Sequence, residues 1–230
     1  MKESPVRVLL VGAAGRMGRT IVDLAKNDPK IQIAAQCDHG DAIEPAMAKS
    51  DVTIDFSHAD AIDEICRAAG EHRQPLVIGT TGHSPAQRQK IERATKEIPI
   101  VLAANFSVGV NVLFALARKA AGLLGNEFKI EIVETHHRMK KDAPSGTAKT
   151  LAEILQKTRN GDREIPIQSI REGDVVGEHT VIFNGPGERV ELTHRAANRE
   201  IFGGGALRAA RWIVGRSSGL YTMQNVLGLW

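Results

Sequence analysis

Aromatic side chains are scarce in this chain: Phe, Trp and Tyr together make up 4% of 230 residues, and there is a single Tyr. Any core must therefore be built mainly from aliphatic groups. A nucleic-acid surface, which interleaves rings with clustered Lys and Arg, is not expected. Excess charge is small as well, since 30 Lys and Arg face 27 Asp and Glu for a formal +3. That balance suits a small anionic ligand better than a polyanion. Cysteine is nearly absent. Cys37 and Cys66 fall in no CxxC and in no Cys/His cluster of metal-ligand spacing, so they read as two reduced thiols, and no metal is expected. Long apolar runs are missing too. Val8 to Val11 is about four residues and ends in glycines, where a secretory core needs roughly 7–15. Nothing approaches the ~20 apolar residues of a membrane span. The expectation is a cytoplasmic protein with no membrane partner. There is no internal repeat and no low-complexity tract.

What is present is ordinary for a globular chain, with 42% hydrophobic and 25% charged residues. The length allows one large domain or two modest ones. Val6 to Val11 is a nearly continuous apolar run, as in a strand buried on both faces of a parallel sheet. Arg19 to Lys26 reads as a helix, Ile31 to Ala35 and Val52 to Phe56 as strands, and Ala61 to Glu71 as a helix. Leu76 to Ile78 is a strand, Pro85 to Lys96 a helix and Ile100 to Ala103 a fifth strand. Strands alternating with helices predict an α/β fold with a doubly wound parallel sheet.

The pattern changes after Asn105. Val110 to Leu124 is a long apolar helix, and Lys129 to Glu134 alternates like a strand wet on one face. A helix over Ser145 to Lys157 precedes three strand candidates, Ile165 to Arg171, Glu178 to Asn184 and Arg189 to His194. Strands in succession favour hairpins and antiparallel pairing, so this half reads as a smaller α+β domain. Gly185-Pro186-Gly187 marks a turn and Ala206 to Val214 a final helix. The expected domains are 1–107 with 199–230, and 108–198.

Gly12-Ala13-Ala14-Gly15-Arg16-Met17-Gly18 lies between the first strand and the first helix. Glycines there permit the tight turn, the approach of backbone to a pyrophosphate and close helix–strand packing. The helix N-terminus then offers N–H groups and a positive dipole end to phosphates. The spacing is GxxGxxG rather than GxGxxG. Asp38 follows the second strand, where an acid meets the adenosine ribose hydroxyls. An acid there repels a 2′-phosphate and favours NADH, while the adjacent His39 could offset the repulsion, so NADH and NADPH both stay open. The strand ends at Gly79-Thr80-Thr81 and Ala103-Ala104-Asn105-Phe106 should join this site at the carboxyl edge of the sheet.

Glu134-Thr135-His136-His137-Arg138-Met139-Lys140-Lys141-Asp142-Ala143-Pro144-Ser145-Gly146-Thr147-Ala148 gathers histidines, cations and a helix start. Ser145 is a plausible N-cap. The N–H groups of Gly146 and Thr147 suit a carboxylate, Lys140 and His137 can balance anionic charge, and His136 or Lys140 can supply a proton.

The segment from His136 through Ala148 resembles the signature of the 4-hydroxy-tetrahydrodipicolinate reductase (dihydrodipicolinate reductase) family. The opening Val-Gly-Ala-Ala-Gly-Arg-Met-Gly, Gly79-Thr80-Thr81-Gly82 and Ala104-Asn105-Phe106-Ser107-Val-Gly-Val-Asn111 resemble it as well. The resemblance runs in order from about residue 6 to the end. It implies a Rossmann-like dinucleotide-binding domain to which the C-terminal helix returns, with a second domain for substrate and oligomerisation. It further implies NAD(P)H-dependent reduction of a small cyclic dicarboxylate on the lysine and diaminopimelate route, domain closure on the ligands, and a homotetramer. His136 and Lys140 match the catalytic residues, and His137, Gly146 and Thr147 the substrate contacts. Gly12, Ala13, Ala14, Gly15, Arg16, Met17, Asp38, Gly79, Thr80, Thr81, Ala103, Ala104, Asn105 and Phe106 match cofactor contacts. Arg199 matches an arginine near the domain junction. The chain departs from many members in a compressed span between Asp38 and Asp51, and in Asp38-His39 where Glu-Arg is common. The glycine turn and Asp38 alone would equally fit another imine or amino-acid reductase or a dinucleotide sensor; the His136 to Thr147 segment would not.

Overall fold

The computed structural model describes residues 4–161 and 164–229; residues 1–3 and 230 of the expected first domain lie outside that range. The described residues divide into two units, 4–107 with Glu200–Gly228, and Val108–Arg199 with Leu229. Arg199 and Leu229 thus group with the second unit, whereas the sequence reading placed them in the first.

In the first unit, β1 (Val6–Val11), β2 (Ile31–Cys37), β3 (Val52–Asp55), β4 (Leu76–Ile78) and β5 (Pro99–Leu102) alternate with α1 (Arg16–Ala25), α2 (Glu44–Met47), α3 (Ile62–His72) and α4 (Pro85–Ala94). The strands lie side by side as β5, β4, β3, β1 and β2, all parallel. The chain steps outward from β1 to β2 and then crosses to β3 on the other side. That reversal opens a crevice at the carboxyl ends of β1 and β3. Val8, Leu10, Ile54, Val77 and Val101 point to one face and Leu9, Val11, Leu76, Ile78 and Ile100 to the other, all buried. A strand covered on both faces needs apolar residues at every position, which is why β1 reads as a continuous run.

Three elements of this unit were not anticipated: α2, a strand β10 (Gly219–Tyr221) parallel to β5, and α8 (Met223–Leu227). Each is one turn or three residues long and carries no periodic signal of its own. The helix before β10, α7 (Glu200–Ile213), begins six residues ahead of the expected Ala206. Its Gly203-Gly204-Gly205 run looks like a breaker. Instead, a Cβ on Gly205 would come within 1.8 Å of the Phe106 carbonyl oxygen, so this glycine is where the helix must approach backbone closely.

The second unit holds α5 (Val108–Leu124), β6 (Lys129–His136), α6 (Gly146–Thr158), β7 (Ile167–Arg171), β8 (Gly177–Gly185) and β9 (Glu188–Ala196). The sheet order is β7-β6-β8-β9. β8 and β9 form the expected hairpin, with Gly185 opposite Glu188 across Pro186-Gly187. β7 departs from the antiparallel expectation. It follows α6 and pairs parallel to β6, with Glu134 opposite Ser169 and His136 opposite Arg171. The intervening helix carries the chain back, so a crossover replaces a hairpin. Leu113, Phe114 and Ala117 of α5 and Leu151 and Leu155 of α6 bury against Ile130, Ile132, Val181 and Phe183. Among the described residues no helix is long and apolar enough to cross a membrane.

Candidate active site

The glycine motif is built as a cradle. Gly12 sits at φ +83, where a Cβ would meet the Phe56 carbonyl oxygen at 2.5 Å. A Cβ on Gly18 would lie 2.2 Å from the Gly12 oxygen, so α1 starts hard against the loop. That helix begins at Arg16, earlier than its apolar periodicity suggested, because the motif itself forms the first turn. Gly15 is its N-cap; no side chain caps it and no acid stands in its first turn. Its leading N–H groups therefore carry no side-chain cap.

Asp38 lies just past β2 and accepts a hydrogen bond from Ala14 N–H, with both carboxylate oxygens at 3.0 Å. His39 beside it is exposed. Gly79, Thr80 and Thr81 follow β4 directly, and Ala103 to Phe106 follow β5. Thr80 and Phe106 are buried, whereas Thr81 and Ala104 are exposed. Asn105 Oδ1 accepts from Ser107 N–H at 2.9 Å, and the Phe56 and Phe106 rings meet at 5.7 Å. The parallel order brings Gly12 to Met17, Asp38, Gly79 to Thr81 and Ala103 to Phe106 to one edge of the sheet. Asp55, which sequence reasoning did not single out, closes β3 there with no solvent exposure; its Oδ1 accepts from Ser57 N–H at 2.9 Å. Burial pushes its carboxyl up.

The second unit carries the other group. β6 ends at His136, and His137 N–H donates to the Val175 carbonyl at 2.7 Å. Lys140 Nζ pairs with Asp142 Oδ1 at 2.8 Å. Ser145 caps α6 by accepting from Ala148 N–H at 3.2 Å, and Gly146 and Thr147 open its first turn. Space beside Gly146 is open.

Beneath these lies a buried network. Glu134 has no solvent exposure. Its Oε1 accepts from Arg171 Nη2 at 2.9 Å and from Ser145 N–H at 3.2 Å. Its Oε2 accepts from Arg171 Nη1 at 3.1 Å and also bonds His136 Nδ1. Arg171 Nη2 reaches the Asp142 carbonyl at 2.6 Å as well. His179 Nε2 lies 3.0 Å from Ser145 Oγ, and its ring meets His136 edge-on at 5.0 Å. Burial drives the Glu134 carboxyl up, but hydrogen bonds from Arg171, Ser169 and His136 outweigh it and hold it at about 2. Burial pushes His136 below its usual value against the pull of Glu134, with Lys140 and Arg171 adding to the downward push. His179, more deeply buried, falls to about 4.

Sequence reading missed Glu134, Arg171 and His179 as a unit. One signal was legible: Ile130, Ile132, Glu134 and His136 share a strand face, so a carboxylate falls in core phase. Arg171 and His179 arrive through strand pairing alone. Glu134, His136 and His179 each place one ligand-type atom within 4.8 Å of the others, yet both Glu134 oxygens are already held by the Arg171 cation.

The family described as Dihydrodipicolinate reductase, N-terminus, matches residues 6–106, and Dihydrodipicolinate reductase, C-terminus, matches 109–227. A 4-hydroxy-tetrahydrodipicolinate reductase of Akkermansia muciniphila is 49% identical, covering 97% of this chain and 98% of the relative. One of Zymomonas mobilis is 44% identical over 99% of each. A dipicolinate-bound dihydrodipicolinate reductase from Paenisporosarcina sp. TG-14 superposes with a TM-score of 0.83 at 25% identity, over 95% of this chain and 97% of that one. This chain therefore belongs to the dihydrodipicolinate reductase family.

Proposed function

We propose that the chain reduces 4-hydroxy-tetrahydrodipicolinate to tetrahydrodipicolinate with a nicotinamide cofactor, on the lysine and diaminopimelate route. The observation that carries this is the N-terminus of α6, open beside Gly146 and closing the loop that carries His137 and Lys140, a start suited to a carboxylate. The names of the relatives support it over another imine or amino-acid reductase and over a dinucleotide sensor.

The glycine cradle fits a dinucleotide, because a Cβ at Gly12 or Gly18 would fill it. Gly12, Ala13, Ala14, Gly15, Arg16 and Met17 would hold the pyrophosphate and Asp38 the adenosine ribose. Gly79, Thr80, Thr81, Ala103, Ala104, Asn105 and Phe106 would line the nicotinamide side. A bound reduced nicotinamide supplies the hydride. Asp38 disfavours a 2′-phosphate, so NADH is the preferred form. His137, Gly146 and Thr147 bind the dicarboxylate, and Lys140 or His136 delivers the proton that completes the reduction. We assign the first unit to the cofactor and the second to the substrate. The second unit's sheet, with helices packed on one face, also serves a homotetramer, and the enzyme works in the cytoplasm.

The test is absorbance of the reduced nicotinamide with the condensation product of pyruvate and aspartate semialdehyde, run separately with NADH and NADPH. Oxidation that requires the substrate establishes the reaction. NADH binding with no oxidation by either cofactor overturns it.

A further inference from the structure

We propose that Glu134 is a positioning residue that sets which nitrogen of His136 faces the reaction; this rests on the function proposed above. A fully buried carboxylate is costly unless every lone-pair direction is used. Here the His136 ring, two Arg171 nitrogens, the Ser145 N–H and Ser169 supply the donors. The carboxylate therefore ties together the end of β6, the end of β7 and the start of α6.

The imidazole is boxed as well as bonded. A Cβ on Gly177 would lie 3.0 Å from His136 Nε2, tighter than an ordinary contact, so glycine there leaves the ring its room. The edge of His179 closes another side. With Nδ1 bonded to an ionised carboxylate, the neutral ring carries its proton on Nδ1 and presents Nε2 as a lone pair. A neutral imidazole in that form accepts at Nε2 and cannot donate there, which leaves the proton delivery proposed above to Lys140. The charged and titratable groups facing the ring are Glu134 on its own strand, Arg171 on β7, His179 on β8 and Lys140 in the loop beyond. Because Glu134 also holds Ser145, the cap of α6, one carboxylate sets both the ring and the helix start proposed to hold substrate.

The test compares the native enzyme with Glu134→Gln, an isosteric change that removes the charge and leaves one acceptor too few. The variant is expected to lose at least ~10-fold in kcat, with NADH affinity unchanged. Its pH profile should shift to lower pH on the limb set by His136, since the support for imidazolium is gone. Side-chain ¹⁵N shifts of the native protein should show His136 protonated on Nδ1 at neutral pH, a readout independent of whether any variant folds. A His136 protonated on Nε2, or a Glu134→Gln enzyme with native kcat and an unmoved pH profile, overturns the proposal. If the native enzyme itself fails to oxidise NADH with substrate, the proposed function fails instead, and the ¹⁵N result still decides the role of Glu134.

Discussion

The carboxylate of Asp38 bonds the N–H of Ala14, with both oxygens 3.0 Å away, so the acid after the second strand is tied to the glycine turn. Asp38→Asn keeps an acceptor for Ala14 and removes only the charge. The ratio of kcat/KM for NADPH over NADH should then rise at least ~10-fold, a change of about 1.4 kcal/mol. Steady-state rates with each cofactor check this.

Gly18 is held between the Gly12 oxygen at 2.2 Å and the Ala13 oxygen at 2.5 Å from its ideal Cβ. Since those neighbours are backbone, they cannot swing aside. Gly18→Ala should lower stability by about 1–3 kcal/mol and abolish NADH binding. Gly15→Ala, whose Cβ would meet only the Gly12 oxygen at 3.2 Å, should do less of both. Thermal melts and fluorescence titration with NADH give the order.

Lys140 is proposed to act on the substrate rather than the cofactor. Lys140→Ala should lower kcat by at least ~10²-fold, the usual reach of a positioned acid, with NADH dissociation unchanged. Near-native turnover would remove Lys140 from the mechanism.

His179 links stability to pH. Its folded value of about 4 lies below the usual 6.5, so below pH 6.5 the unfolded chain takes up a proton that the folded one refuses until about pH 4. The stability that the neutral ring contributes is present above 6.5 and is lost as the pH falls through this window. At about 1.4 kcal/mol per unit, the loss approaches ~3 kcal/mol. In His179→Gln that slope should vanish, so the stability gap between native and variant narrows as the pH drops from 7 to 4. Denaturant melts at a series of pH values measure it.

The first sheet was largely legible because β1, β3, β4 and β5 are short, mainly apolar runs closed by small or polar residues, and the shared edge of their carboxyl ends follows from the parallel order. β10 was not, since Gly219-Leu220-Tyr221 becomes a strand only by lying beside Pro99–Val101. In the second unit the His136 to Thr147 segment was conspicuous for its composition. The ionic network beneath it was hidden, because Arg171 reaches Glu134 through the parallel pairing of β7 with β6, a register that no local pattern announces. Gly177 carries its meaning only when the His136 ring is seen against it.

Among the described residues β7, which supplies Arg171, is an outermost strand with a neighbour on one side only. Edges of a sheet open more readily than the strands inside it. Local breathing at Ile167–Arg171 therefore slackens the grip on Glu134 while β6 and β8 stay zipped. On warming, turnover should fade before the circular dichroism of the fold does, and the amide protons of β7 should exchange first. Those two readouts would tie the enzyme's working temperature range to an edge strand rather than to its core.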